Sequence, residues 1–153
     1  SKTISSAPDP AKAFEQKHGK QAVQNMSDQE FVQSLANRAD RMYKGNGPGV
    51  GKKKHKYSEN LFNRFKQVTG ERQNLVAEKR FKMNRGYEKN QGLKDSVIPD
   101  VFDEIRSKAY DYKFGGAKVT PNQVERYTKQ LPLHPKIETP AQVIEIKPEL
   151  PKK

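Results

Sequence analysis

The sequence predicts a mainly α chain: several short amphipathic helices joined by Gly/Pro-rich loops, with extended N- and C-terminal arms and a small or absent independent core. Three observations lead there. Leu, Ile, Val and Phe supply only 30 of the 153 residues, and a chain at about 20% of these types lies at the edge of disorder. The apolar residues that do cluster recur at helical spacing behind capping signals. Ten glycines and ten prolines divide the chain into short pieces. Burial yields about 25 cal/mol per Å² against roughly 1–2 kcal/mol of backbone entropy per residue, so partners are expected to supply part of the order.

Residues 1–26 read as an N-terminal arm. Its "APDP" disfavours helix before each proline, and a short helix between Ala11 and Gln24 would carry only Phe14 and Val23 as large apolar groups. Residues 27–44 form the clearest element. Ser27 and Glu30 make a capping box, and Phe31, Val32, Leu35, Ala36, Ala39, Met42 and Tyr43 follow on one stripe. Residues 45–57 are a Gly/Lys loop, "GNGPGVGKKKHKY". Residues 58–94 are expected to be a basic helical segment and connector. It opens with Ser58 as N-cap and Leu61, Phe62, Phe65 and Val68 on one face, then continues past Gly70 through Leu75, Val76, Phe81 and Met83.

Residues 96–131 read as two helices. In the first, Pro99 sits near N1, Asp100, Asp103 and Glu104 favour the N-terminal dipole, and Val101, Phe102, Ile105, Ala109 and Tyr112 share a side until Gly115 and Gly116. In the second, Thr120, Pro121 and Gln123 form another cap, with Val124, Tyr127 and Leu131 inward. Residues 132–153 are a Pro-rich extended tail. Its "TPAQVIE" is either a helical turn or, from its β-branched residues, a strand added to a partner's sheet.

The formal charge is +12, and residues 44–94 hold fourteen Lys or Arg against four Glu, so most of the excess lies in one third of the chain. Such concentration points to a polyanion rather than to a generally solvated basic surface. Lys52, Lys53, Lys54, Lys56, Arg64, Lys66, Arg72, Lys79, Arg80, Lys82 and Arg85 are the expected phosphate contacts. Tyr57, Phe81 and Tyr87 are interleaved as candidates for base stacking, and Phe31, Leu35, Met42, Phe102 and Ile105 as docking residues for neighbouring proteins.

No reaction is legible in the linear sequence. The glycine loop fails as a Walker A motif, because Asn46 stands where the first Gly belongs and Lys53 where the hydroxyl belongs. His18, His55 and His134 have no metal-ligand spacing, and there is no cysteine. Asp103 and Glu104 are the only adjacent carboxylates, and adjacent helical residues diverge by about 100°. No catalytic residue, metal, cofactor or small-molecule substrate is therefore expected.

No apolar run approaches a membrane span, and neither a signal peptide nor an organellar presequence is visible; a soluble protein inside a large particle is the expectation. The expected role is a non-catalytic structural component of a nucleic-acid-containing assembly, such as a ribosome or a virion interior. It would bind RNA or DNA without sequence specificity and neighbouring proteins through its helices and tail. The alternative is a protein-protein adaptor or assembly factor wrapping acidic partners.

Overall fold

The computed structural model describes residues 9–79, 81–82, 96–130 and 142–149. Five helices and six strands follow in the order α1 (Pro10–His18), α2 (Lys20–Asn25), α3 (Asp28–Met42), α4 (Pro48–Thr69), β1 (Leu75–Ala77), β2 (Phe81–Lys82), β3 (Ser96–Val97), β4 (Val101–Asp103), β5 (Lys108–Tyr112), α5 (Pro121–Gln130) and β6 (Gln142–Ile146). The mainly α, core-poor expectation is corrected: a four-stranded mixed sheet in the order β1-β4-β5-β6 stands at the centre, and β2 pairs with β3 beside it.

The local reasons are readable in each helix. Ser27 Oγ accepts from the Glu30 N–H at 3.1 Å while Glu30 Oε1 accepts from the Ser27 N–H at 2.9 Å, so α3 starts on a complete capping box. Thr120 and Gln123 exchange the same pair of bonds at the head of α5. Asp9 caps α1 by accepting from the Ala11 N–H. The long helix differs from expectation. It begins at Pro48, inside the glycine loop, and runs through the lysines to Thr69, so Ser58 is a buried mid-helix residue rather than a cap. It stops at Gly70, whose φ of 70° is the left-handed conformation that closes a helix.

The segment after Gly70 is not helical. Leu75–Ala77 is a strand, and the expected helix over 99–113 is the antiparallel hairpin β4–β5, with Val101 opposite Tyr110 and Phe102 opposite Ala109. Its turn is set by Asp103, whose Oδ1 accepts from the Ile105 and Arg106 N–H groups, a bond pattern that competes with helix. "QVIEI" is a strand of the chain's own sheet, parallel to β5 after the α5 crossover, and so does not serve as a strand added to a partner.

Side-chain alternation then makes two cores. Leu75, Val101, Tyr110, Tyr112 and Ile146 face the layer formed by α1, α3 and α4, where Phe14, Phe31, Phe62 and Phe65 pack edge-to-face or tilted. On the other face Phe102, Ala109 and Val97 meet Tyr127 of α5, with Val76 and Val143 alongside. A few large apolar residues suffice here because those on the inner faces are fully used: Phe14, Phe31, Val32, Leu35, Leu61, Phe62 and Phe65 of α1, α3 and α4 are all fully buried.

Candidate active site

The second face carries more than a core. Val76, Phe102, Ala109 and Val143 lie in one row across four strands, being successive partners in the register. Two residues further along, Asp111 and Glu145 share that face in β5 and β6, while Glu78 and Asp100 follow and precede β1 and β4 by one residue. Asp111 and Glu145 are direct register partners, and the Glu78 N–H donates to the Asp100 carbonyl at 3.1 Å, so the row holds at both ends. A hairpin thus converts two acids eleven positions apart in sequence into cross-strand neighbours.

Asp100 is the hub. Its Oδ2 accepts from the Tyr112 N–H at 2.6 Å, and its Oδ1 lies 3.4 Å from His55 Nδ1, which reaches over from α4. Burial disfavours the imidazolium, but the Asp100 hydrogen bond and the charges of Asp100, Asp111 and Glu78 outweigh it, and the His55 pKa is raised. Lys113, on the same face of the extended chain as Asp111, places Nζ 2.8 Å from Asp111 Oδ2. That oxygen is buried and makes no well-directed hydrogen bond.

The electrostatics match this crowding. Desolvation, the Asp100 charge and a hydrogen bond shared with Asp100 push Asp111 up to about 7 against the opposing pull of Lys113. Glu78 also rises to about 7, by desolvation first and by Asp100 second; its side chain is exposed in outline, so the carboxyl end facing its acidic neighbours carries that effect. Glu78 has a φ of 53°, an unusual backbone state for a non-glycine residue. Tyr127 of α5, buried over this face, has its pKa raised by burial and by Asp111 and Asp100. Functional sites commonly gather groups perturbed by burial and close charges, as do structural ion-pair networks.

Among the described residues, no group of three His, Cys, Asp or Glu side chains is arranged to enclose a metal ion. Two carboxylates side by side suit a different coordination. Mg²⁺ is commonly held by one or two carboxylates, with waters and substrate phosphate completing the octahedron. Asp100 and Asp111 fit that role, since a cation would take the place of the proton their crowding now favours.

The expected phosphate contacts divide sharply. Lys52, Lys53 and Lys56 are exposed on α4, Lys56 beside Glu59 at 3.0 Å. Lys54 is buried, 2% exposed, and bonds Asp40 and the Gly45 carbonyl. Arg64 pairs with Asp9, Lys66 donates to the Leu75 carbonyl, and Lys79 pairs with Glu104. Arg72 is structural: it binds Asp28 and the Val23 and Met26 carbonyls and lies over the Phe31 ring. Tyr57 is half-buried, its hydroxyl accepting from Arg38 Nε. Phe81 and Lys82 form β2, while Arg80, Arg85 and Tyr87 lie outside the described residues. Of the docking residues, Phe31, Leu35 and Phe102 are consumed by the chain's own cores, leaving Met42 and Ile105 exposed.

Asp100, Asp111, Lys113, Glu78 and His55 were invisible as a group in the linear reading. The signal that marks them is the period-two alternation of "KAYDYK", which sets Asp111 and Lys113 on one face. A cavity of about 490 Å³, between α1, α2 and the end of α4, mixes acids and bases and gathers no comparable set. Comparison with protein-family models, with curated proteins and with solved structures finds no match.

Proposed function

We propose that this chain is a divalent-cation-dependent phosphodiesterase acting on nucleic acid. The observation that carries the reading is the Asp100, Asp111 and Lys113 constellation at the end of the central sheet of a protein with a net charge of +12. A buried Asp111 beside the partly buried Asp100 is an unfavourable feature for a polyanion binder, and it would be intelligible if the pair held a cation. Bound there, a divalent cation supplies Lewis-acid polarisation of the phosphate and lowers the pKa of a water.

The chain's own residues complete the chemistry. Asp100 and Asp111 would hold the cation, and His55 and the Tyr112 N–H fix the Asp100 carboxylate. Lys113 stands where it can stabilise the extra negative charge as water adds to phosphorus and the P–O ester bond breaks. Glu78, poised near neutrality, is placed to exchange a proton with the attacking water or the departing alkoxide. One phosphodiester and one water give a phosphomonoester and an alcohol.

The non-catalytic nucleic-acid-binding reading remains the second proposal, supported by the exposed Lys52, Lys53 and Lys56 along α4. Incubating supercoiled plasmid, single-stranded DNA and RNA with the full chain in Mg²⁺, Mn²⁺ or EDTA separates the two. Cation-dependent cleavage that Asp111→Asn abolishes supports the enzyme. Salt-sensitive binding with every substrate left intact supports the scaffold.

A further inference from the structure

We propose that the end of α3 and the adjoining flank of α4 form a platform for an unpaired stretch of nucleic acid, with Tyr43 stacking on a base and Arg38 and Arg41 holding its phosphates. The assignment of the occupant rests on the nucleic-acid reading above. Tyr43, the C-cap of α3, keeps 37% of its surface exposed, and Met42 beside it 54%. The Tyr43 ring meets Tyr57 of α4 edge to face, with centroids 6.0 Å apart and planes at 74°. That arrangement engages at most one face of Tyr43 and leaves aromatic surface open.

The charge around this ring is unopposed. Arg64, Arg72 and Arg106 each meet an aspartate, whereas among the described residues Arg38 and Arg41 meet no carboxylate. Asp40, between them in sequence, belongs to the buried Lys54 at 2.7 Å. Arg38 is nevertheless held in position, because its Nε donates to the Tyr57 hydroxyl at 3.2 Å. The two terminal nitrogens of its planar fork are left for phosphate oxygens. His18, at the end of α1, shows that these cations stand together: burial, then the charges of Arg41, Lys17 and Arg38, lower its pKa. A polyanion meets several positive charges and an open aromatic ring in one place.

Helix α4 connects this platform to the carboxylate row. At about 100° per residue, Tyr57 and His55 lie about 200° apart around the helix, so one flank of α4 faces α3 and the other faces Asp100. The outer face between them carries Lys52, Lys53 and Lys56, all exposed. A helix is about 10–12 Å across, a span on the order of three nucleotides of one strand. A single strand laid over α4 therefore places a phosphate at the carboxylates and, on the order of three nucleotides away, a base at Tyr43. A duplex cannot use the ring in this way, because its bases are already stacked on one another.

The test uses the full chain in EDTA, so that cleavage is not required, with a fluorescent single-stranded oligonucleotide and a blunt duplex of equal length across a salt series. Tyr43 is exposed at a helix end, so Tyr43→Ala should melt like the parent. It should weaken single-strand binding by about tenfold or more, leave the slope of log affinity against log salt unchanged, and spare duplex binding. Tyr43→Phe should bind like the parent, and Arg41→Gln should lower the single-strand slope by about 0.7. Parent-like single-strand binding by Tyr43→Ala, an equal loss on the duplex, or a Tyr43→Phe variant as weak as Tyr43→Ala overturns the platform. Polyglutamate bound as tightly as the single strand, and weakened equally by Tyr43→Ala, assigns the surface to an acidic protein and overturns the nucleic-acid occupant. A parent chain that holds single strands through Tyr43 yet cleaves nothing with any cation sinks the phosphodiesterase reading and leaves the platform standing. Cleavage of single strands by Tyr43→Ala at the parent's KM does the reverse.

Discussion

Lys113 Nζ stands 2.8 Å from Asp111 Oδ2, two positions along the chain where β5 ends. The pair divides two duties that mutation can separate. Asp111→Asn should lose both cation binding and cleavage. Lys113→Gln should bind the cation, because the carboxylates remain, and lose cleavage by about 10²-fold or more through kcat, as when a transition-state charge stabiliser is removed. Mn²⁺ titration by calorimetry alongside single-turnover cleavage reads the two duties apart. Equal loss of cation affinity in both variants would show that Lys113 only supports the fold.

Lys54 should behave unlike the other two lysines of "KKK". Lys54 is buried against Asp40 and Gly45, whereas Lys52 and Lys53 are exposed. Lys54→Met removes a buried partner, and because Asp40 stays partly solvated the cost should be roughly 1–3 kcal/mol, below that of a fully enclosed pair. Lys53→Gln should leave unfolding unchanged while weakening nucleic-acid binding at low salt. Urea denaturation and binding isotherms on the two variants check the contrast; matching profiles would contradict it.

That contrast also marks where the linear reading stopped. Helix α3 was legible, since its cap and its stripe are both local, and so was α5's cap. The hairpin was not, because its turn uses Ser107 at a φ of 54° and Asp103 as a side-chain acceptor, without the Gly, Asn or Pro that signals a turn. Once 99–113 is taken for a helix, Asp100 and Asp111 fall on unrelated turns and no site can form. The basic segment was over-read for a related reason. Charge counts cannot reveal that Arg72, Lys54 and Arg64 each have a partner 14 to 55 positions away in the chain.

Arg72 should be among the most sensitive of these positions. Its guanidinium meets Asp28 at 2.6 Å and two carbonyls at the α2–α3 junction while covering Phe31, so it ties the helical layer to the start of the sheet. Lysine has one ammonium and no planar fork, and cannot keep these contacts together. Arg72→Lys should cost roughly 2–4 kcal/mol by denaturant midpoint, and Arg72→Met at least as much, since Asp28 then keeps Asn74 but loses its closest cation. A loss under about 0.5 kcal/mol for Arg72→Lys would place the interlayer anchor elsewhere.

The carboxylate row predicts an inverted pH response in the metal-free chain. Asp111 and Glu78 have folded pKa values near 7, above the usual carboxylate range of an unfolded chain. Below pH 4 both states hold these protons and the contribution is fully present. As pH rises from about 4 to 7 the unfolded chain releases them first, so stability falls, and above the folded pKa values the loss is complete. In EDTA the melting temperature should therefore drop by on the order of 5 °C between pH 5 and pH 8. Mg²⁺ or Mn²⁺ at pH 8 should restore it, since a cation that binds only the folded, ionised site shifts the equilibrium by mass action. Asp111→Asn keeps an acceptor for Lys113 without the charge, so it should flatten the pH dependence and remove the response to cation. A parent chain that gains stability from pH 5 to pH 8 in EDTA, parallel to Asp111→Asn, would show that these carboxylates are not crowded in solution.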